Sequence, residues 1–419
     1  MRRANVRCAT PGSVVAASRA EARQNGPVPS LTAWRNAVFA TFFAMGCSLA
    51  SWLARVPYVR DQLDVSTGEM GLILLGISVG SVSGLLLASH IVHALGTRRV
   101  IPLGMVIVGI GLAVAGWAAD AGLLWLVVAG FVLGGSVIGI TDVGMNLTGA
   151  VYERAFGRPI MPLFHASFSL GTVAGAGLGG LCELLGIGIG WQATGVGIGI
   201  AALAVAVARA LPPEVVQHDE EPVSLRERLS VWKDPRTLLL GLLVLGMSLT
   251  EGSANDWLAL TMVDGHGFSN EGGAFVLALF LTAMTLGRVL GVPLLERFGR
   301  VAVLRATAAM AAAGLLLVIF AEATPLVITG VVLWGVGASL GFPVGMSAAA
   351  DEPRLAAARV GTVSAIGYLA FLAGPPLLGL LGDVVGLRLA LLAVLAFVVL
   401  SLITSPVARE RGTTIKEDA

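Results

Sequence analysis

Between Leu238 and Leu260 the chain reads LLLGLLVLGMSLTEGSANDWLAL, an apolar run in which Glu251, Asn255 and Asp256 stand where hydrocarbon offers them nothing to bond. A charge at the centre of a membrane helix costs about 2.5–3.5 kcal/mol on insertion scales, so such a group faces a wet cavity or an internal partner. Glu251 lies roughly 20 Å along a regular helix from Leu238, and Asn255, four residues on, shares its face. Asp256 sits about a turn further out, where it is either part of the same polar cluster or an interfacial group. Gly252 and Ser253 let the intervening backbone bend or unwind, which would turn polar groups away from lipid. Asp142 and Asn146 in TDVGMN share a helix face in the same way, suiting either contact with a polar solute or a bond to a neighbouring helix. Arg288 is the only basic residue deep within an apolar run and needs a negative partner: Glu251, Asp142 or an anionic group on a ligand. His165 titrates near neutrality when unperturbed and belongs either to a proton path or to a structural hydrogen bond.

These residues have to be positioned by elements suited to lipid. Of 419 residues, 56% are hydrophobic and 13% charged, whereas soluble domains are about one quarter charged. Runs of roughly 20 apolar residues, each able to cross a core about 30 Å thick as a helix, recur at 31–54, 69–93, 100–119, 122–149, 162–185, 189–210, 237–262, 272–295, 301–321, 325–350, 360–382 and 386–407. The expected fold class is therefore an all-α membrane protein with twelve spans. Arginine and lysine are retained on the cytoplasmic side during insertion. Arg98, Arg99, Arg154, Arg158, Arg226, Arg228, Lys233, Arg236, Arg297, Arg300, Arg354 and Arg359 then mark one face, while only Arg55, Arg60 and Arg388 fall on the other. Both termini are expected in the cytoplasm, with the protein in the cytoplasmic (inner) membrane. The net charge of +1 distinguishes no partner.

The longest internal polar break, 211–236, is rich in proline and charge and divides the spans six and six. The expected organisation is a flexible cytoplasmic tail at 1–30, a six-helix bundle at 31–210, a linker at 211–236, a second bundle at 237–407 and a tail at 408–419. The halves repeat one pattern: Trp52 answers to Trp257, Ser66 to Ser269, Gly84 to Gly287 and Gly96 to Gly299, and GFVLGGSVIGITDVGMN is echoed by GVVLWGVGASLGFPVGMS. Parallel repeats of this kind place a solute path between them near the bilayer midplane. At the position answering to Asp142 the second half carries Pro343, so the two halves are chemically unequal. Pro375 and Pro376 in GPPLLG, and the small-residue run GTVAGAGLGG, mark segments that can bend or pack closely.

With these residues in view the chain resembles the major facilitator superfamily, whose loop between spans two and three reads roughly G-x-x-x-D-R-x-G-R-R. The second half keeps ERFGR, with Glu296, Arg297, Gly299 and Arg300, whereas the first half reads SHIVHALGTRR and has His93 in place of the acid. More narrowly, ASWLARVPYVRDQL, TDVGMN, YERAFGRPIM, FHASFSLG and EGSANDW look like its MosC-like branch. The resemblance implies a two-bundle transporter, a monomer, and a rhizopine-type solute. Glu153, Arg154, Arg158, Asp351, Glu352, Arg354 and Arg359 fall at the cytoplasmic span ends and are expected, with Glu296, Arg297 and Arg300, to form a gate of ion pairs that closes when the opposite face opens.

Other chemistries find no support. The only lysines are Lys233 and Lys416, so there is no phosphate loop of the G-x-x-x-x-G-K-[ST] type. His90 and His93 have no further ligands nearby, and Cys8, Cys47 and Cys182 are unpaired in spacing, so neither a metal, another cofactor nor a disulfide is expected. The expected function is secondary transport of a small polar solute, sugar-like or cyclitol-like, coupled to protons through Glu251 or Asp142. The partners expected are that solute, protons and lipid, without nucleic acid. The competing readings are proton-antiport export of amphipathic compounds and a non-transporting receptor or scaffold; no enzyme is expected.

Overall fold

The computed structural model describes residues 30–157, 160–212, 230–352 and 355–410. Nearly all of both expected tails, most of the linker, Arg158 and Arg354 lie outside the described residues. In chain order the helices are α1 (Leu31–Leu53), α2 (Val56–Leu63), α3 (Thr67–Leu95), α4 (Thr97–Asp120), α5 (Leu124–Phe156), α6 (Met161–Leu184) and α7 (Ile189–Ala210). After the linker come α8 (Pro235–Leu260), closed by a π turn at Thr261–Gly265, then α9 (Asn270–Phe320), α10 (Thr324–Ala338), α11 (Gly341–Ala349), α12 (Ala356–Val385) and α13 (Leu387–Thr404).

Ten helices among the described residues are long and apolar enough to cross a membrane, and Leu86, Trp125 and Val384 remain 77%, 81% and 81% exposed, as a lipid-facing surface allows. The expected spans 272–295 and 301–321 share the single 51-residue α9, whose course is broken at Gly299 (φ 75°, ψ 164°). The expected span 162–185 is the helix α6, which is not among the ten because its glycines, serines and His165 dilute its hydropathy. The expected span 325–350 is divided into α10 and α11.

The repeat seen in the sequence has structural counterparts. Ser66 and Ser269 both cap a helix start, each accepting a backbone N–H three residues on, and Ser66 completes a capping box with Glu69. Gly96 and Gly299 both take positive φ, a conformation a side chain would strain, where one helix turns sharply into the next.

Close approach of backbones sets the packing. A Cβ added to Gly46, Gly171 or Gly175 would run into carbonyls of the facing helix where α1 crosses α6, and one added to Gly80, Gly84, Gly135 or Gly139 would do so where α3 crosses α5. In lipid there is little hydrophobic drive between helices, so contact over small residues and dispersion must hold them. The glycine run of α6 is in this sense a packing face. Across the linker, α3 packs on α12 and α6 on α9. We predict that Gly171→Leu lowers stability by about 1–3 kcal/mol, while Gly177→Leu, which meets nothing within 4 Å, is near neutral. Thermal unfolding of the detergent-purified variants compares the two.

Candidate functional site

Glu251 on α8 and Arg288 on α9 meet. Arg288 Nη2 donates to both carboxylate oxygens of Glu251 at 2.9 Å, and the two side chains keep 19% and 31% of their surface, so the pair borders open space. Of the three partners open to Arg288 from sequence, Glu251 is the one it takes. The other two nitrogens also find acceptors: Nε gives to the Ser339 carbonyl at 3.2 Å and Nη1 uses one of its two hydrogens on Ser169 Oγ at 3.3 Å. Ser339 can receive an arginine because Pro343, four residues on, has no N–H to return to it. The proline that replaces the acid of the first repeat thus holds the second repeat's cation. Ser169 belongs to α6, so this guanidinium also bridges the segments before and after the linker.

His165 lies one turn before Ser169 on α6, is exposed, and packs edge-on against Phe42 with ring centroids 5.2 Å apart. It lies within electrostatic reach of Arg288. Asp142 and Asn146 pair with each other: Asn146 Nδ2 donates to Asp142 Oδ1 at 3.2 Å and to the Asp142 carbonyl at 2.9 Å. Asp142 has no ion pair among the described residues; Tyr368 of α12 lies within reach of its charge. Asn255 and Asp256 are half-buried on α8, and neither side chain makes a hydrogen bond or ion pair among the described residues.

The face bearing residues 31 and 408, called here the terminal face, holds the expected gate residues. Glu153 accepts the N–H groups of Ile160 and Met161 at 2.7 and 2.8 Å and so caps α6. Arg236 and Arg300 converge on Asp351 at 2.9 and 2.7 Å, and Arg359 reaches Glu352 at 2.9 Å and Asp234 at 3.4 Å. Burial raises the Asp234 carboxyl, but the Thr237 hydrogen bonds and the Arg359 charge outweigh it and hold it below its ordinary range. Arg154, Glu296 and Arg297 are exposed, Arg297 lying over Phe298. All of these ion pairs lie within the segment from Asp234 onward, none reaching the helices before the linker.

Apart from Arg288–Ser169, the side-chain bonds across the linker among the described residues run from mid-membrane to the opposite, far face. Arg60 pairs with Asp264, Ser66 Oγ bonds Asp383 at 3.1 Å, Asn270 Nδ2 reaches Glu183 Oε1 at 3.5 Å, and Ser78 Oγ donates to the Phe371 carbonyl at 2.6 Å. Gly71 approaches the Pro375 carbonyl too closely to admit a side chain, and Gly180 packs on Phe275.

The same face holds a polar cluster that sequence reasoning left as loop charge. Arg55 is only 2% exposed: it lies 2.6 Å from Glu183, though not aligned as a hydrogen bond, and donates to Gln192 at 2.6 Å and to the Ile187 carbonyl at 3.0 Å. Its guanidinium stacks 4.4 Å over the Tyr58 ring, whose hydroxyl donates to Asp120 at 2.9 Å. Burial first, then this bond and the Asp120 charge, push the Tyr58 hydroxyl up to about 12, so it remains a donor at neutral pH. The available signal was Glu183 in LCELL, an acid near the end of an apolar run that needed a cation.

A family model described as Major Facilitator Superfamily matches residues 37–274 and 249–417. The uncharacterized transporter y4wD of Sinorhizobium fredii is 30% identical over 384 residues, covering 91% of this chain and 99% of that protein. The membrane protein MosC of Rhizobium meliloti is 28% identical over 363 residues, 86% of each chain. Among solved structures, the nucleoside transporter NupG superposes with a TM-score of 0.68 at 16% identity, covering 90% of this chain and 98% of that one.

Breaking a buried ion pair by removing one partner leaves a bare charge. Arg55→Ala is therefore expected to destabilise by about 3–5 kcal/mol, seen as a lower thermal midpoint. Arg55→Met combined with Glu183→Gln should recover part of the loss.

Proposed function

The chain belongs to the Major Facilitator Superfamily, and from that membership we propose that it moves a small polar solute, sugar-like or cyclitol-like, by alternating access coupled to protons. That it is a multi-pass membrane transporter related to MosC, and not an enzyme, follows from the family and its relatives. The finer reading treats α9 as two spans parted at Gly299 and counts α6 as a span, which gives twelve in two six-helix bundles at 31–210 and 237–407. Both termini, and with them the terminal face, are taken as cytoplasmic, and the unit as a monomer.

One observation carries this reading: Arg288 is shared between Glu251 on its own side of the linker and Ser169 on the other. Protonation of Glu251 removes the charge that holds Arg288, freeing guanidinium donors for the hydroxyls of a solute. The carboxylate of Asp142, which has no cation beside it among the described residues, supplies acceptors facing a polyol, with Asn146 fixing its orientation. His165, Asn255 and Asp256 complete the polar lining. Since the bonds across the linker other than Arg288–Ser169 run from mid-membrane to the far face, the arrangement fits a conformation sealed outside and open to the cytoplasm. In the opposite conformation Glu153, Arg154, Arg158, Glu296, Arg297, Arg300, Glu352, Arg354 and Arg359 would exchange partners across the linker and close the terminal face. Exposed pairs are worth little singly, which suits contacts that must break each cycle.

Thermal stabilisation of the purified protein by a panel of sugars, inositols and amino sugars should select a polyhydroxylated solute, because occupancy stabilises the folded form. With that solute, uptake into proteoliposomes should respond to an imposed pH gradient, and Glu251→Gln should abolish the response while binding persists. A gradient response unchanged in Glu251→Gln would reject the coupling role.

A further inference from the structure

Proline at 375 leaves the Phe371 carbonyl without the helical N–H that would otherwise bond it. A carbonyl stranded inside a membrane must find another donor. In this structure the donor is the hydroxyl of Ser78, 2.6 Å away on α3, from the other side of the linker. The two helices touch backbone to backbone alongside it: Gly71 lies against the Pro375 carbonyl and Gly379 against Thr67 and Gly71. Thr67, Gly71 and Ser78 lie on one face of α3, at intervals of four and seven residues.

Pro343 likewise frees the Ser339 carbonyl, but Arg288, its donor, sits on the same side of the linker and travels with it. The Phe371 carbonyl, midway along α12, keeps this donor only while α3 and α12 stay together from there toward the far face. We propose that Ser78 is a positioning residue of the transport cycle, whose hydroxyl holds the proline-freed Phe371 carbonyl and thereby sets how readily the far face opens. When that face parts, the carbonyl is left to water in the opened cleft, so the bond weights the balance between the two conformations. It is a weight and not a lock, since one hydrogen bond to a neutral acceptor is modest in net terms. This inference rests on the alternating-access reading of the preceding section.

The experiment measures opening itself. With Cys8, Cys47 and Cys182 replaced by serine in the full chain, spin labels go on Leu185→Cys and Val384→Cys, which lie exposed at the far ends of α6 and α12. Pulsed EPR in lipid nanodiscs then gives the distance distribution. Ser78→Ala should raise the ratio of long to short distances by about 5-fold to 30-fold, and Ser78→Thr, which keeps the hydroxyl, should leave it near that of the parent. Pro375→Ala returns an N–H to the Phe371 carbonyl, so in that background Ser78→Ala should change the ratio by less than about twofold. An unchanged ratio in Ser78→Ala, an equal shift in Ser78→Thr, or the same shift with Pro375→Ala present would each overturn the proposal. A distance shift in a protein that moves no solute in proteoliposomes would keep Ser78 as the residue that weights opening of the far face, but would sink the transport reading and with it the residue's place in a transport cycle.

Discussion

An arginine keeps its charge at any pH a cell reaches and presents five N–H donors, so a helix that carries one through hydrocarbon can do so only if the rest of the chain surrounds it with acceptors. Arg288 is the clearest instance of that constraint here. Glu251 takes two of its bonds, Ser339 one and Ser169 one, from α8, from the α10–α11 break and from α6. The arrangement of three separate parts of the fold is thus tied to one side chain, and the same side chain is half of the candidate site. A pair that retains partial exposure also loses less to desolvation than a fully buried one, which leaves it free to exchange partners.

Backbone groups obey the same rule. Proline inside a membrane helix strands a carbonyl, and this protein uses two such carbonyls differently. At Ser339 the freed oxygen is spent on fixing Arg288; at Phe371 it faces a serine that belongs to the other side of the linker. The hydroxyls of Thr41, Thr250 and Thr282 turn back to carbonyls four residues earlier and so need no partner elsewhere. Polar atoms that cannot be satisfied within their own helix are therefore the ones that join helices, and they concentrate at Arg288, Arg55 and the Ser78 contact.

The far face differs from the terminal face in kind. Its buried network from Arg55 to Glu183, Gln192, Tyr58 and Asp120 links α1, α2, α4, α6 and α7, and among the described residues Asn270 hydrogen-bonds to it from across the linker. The terminal face instead carries charges paired close to home around Asp351 and Arg359, most of them with only a fifth or less of the side chain exposed. Among the described residues, the ion pairs at the terminal face stay on the side of α8 to α13, whereas Arg60–Asp264 crosses the linker at the far face.

Helical spans, their number of apolar runs, the repeat and its glycine turns were legible because lipid forces one answer: twenty apolar residues must be a helix, and a helix must turn at residues such as Gly96 and Gly299. The need of Glu251, Asp142 and Arg288 for company was legible for the same reason, since their cost in hydrocarbon depends on residue type alone. Which partner each one takes was not. Glu251 and Asp142 were equal candidates for Arg288 in the sequence, and Arg55 read as a loop charge because nothing local links it to Glu183, well over a hundred positions away. Those choices depend on which helices pack together over their glycines and on where a proline frees a carbonyl, and such distances exist only once the chain has folded.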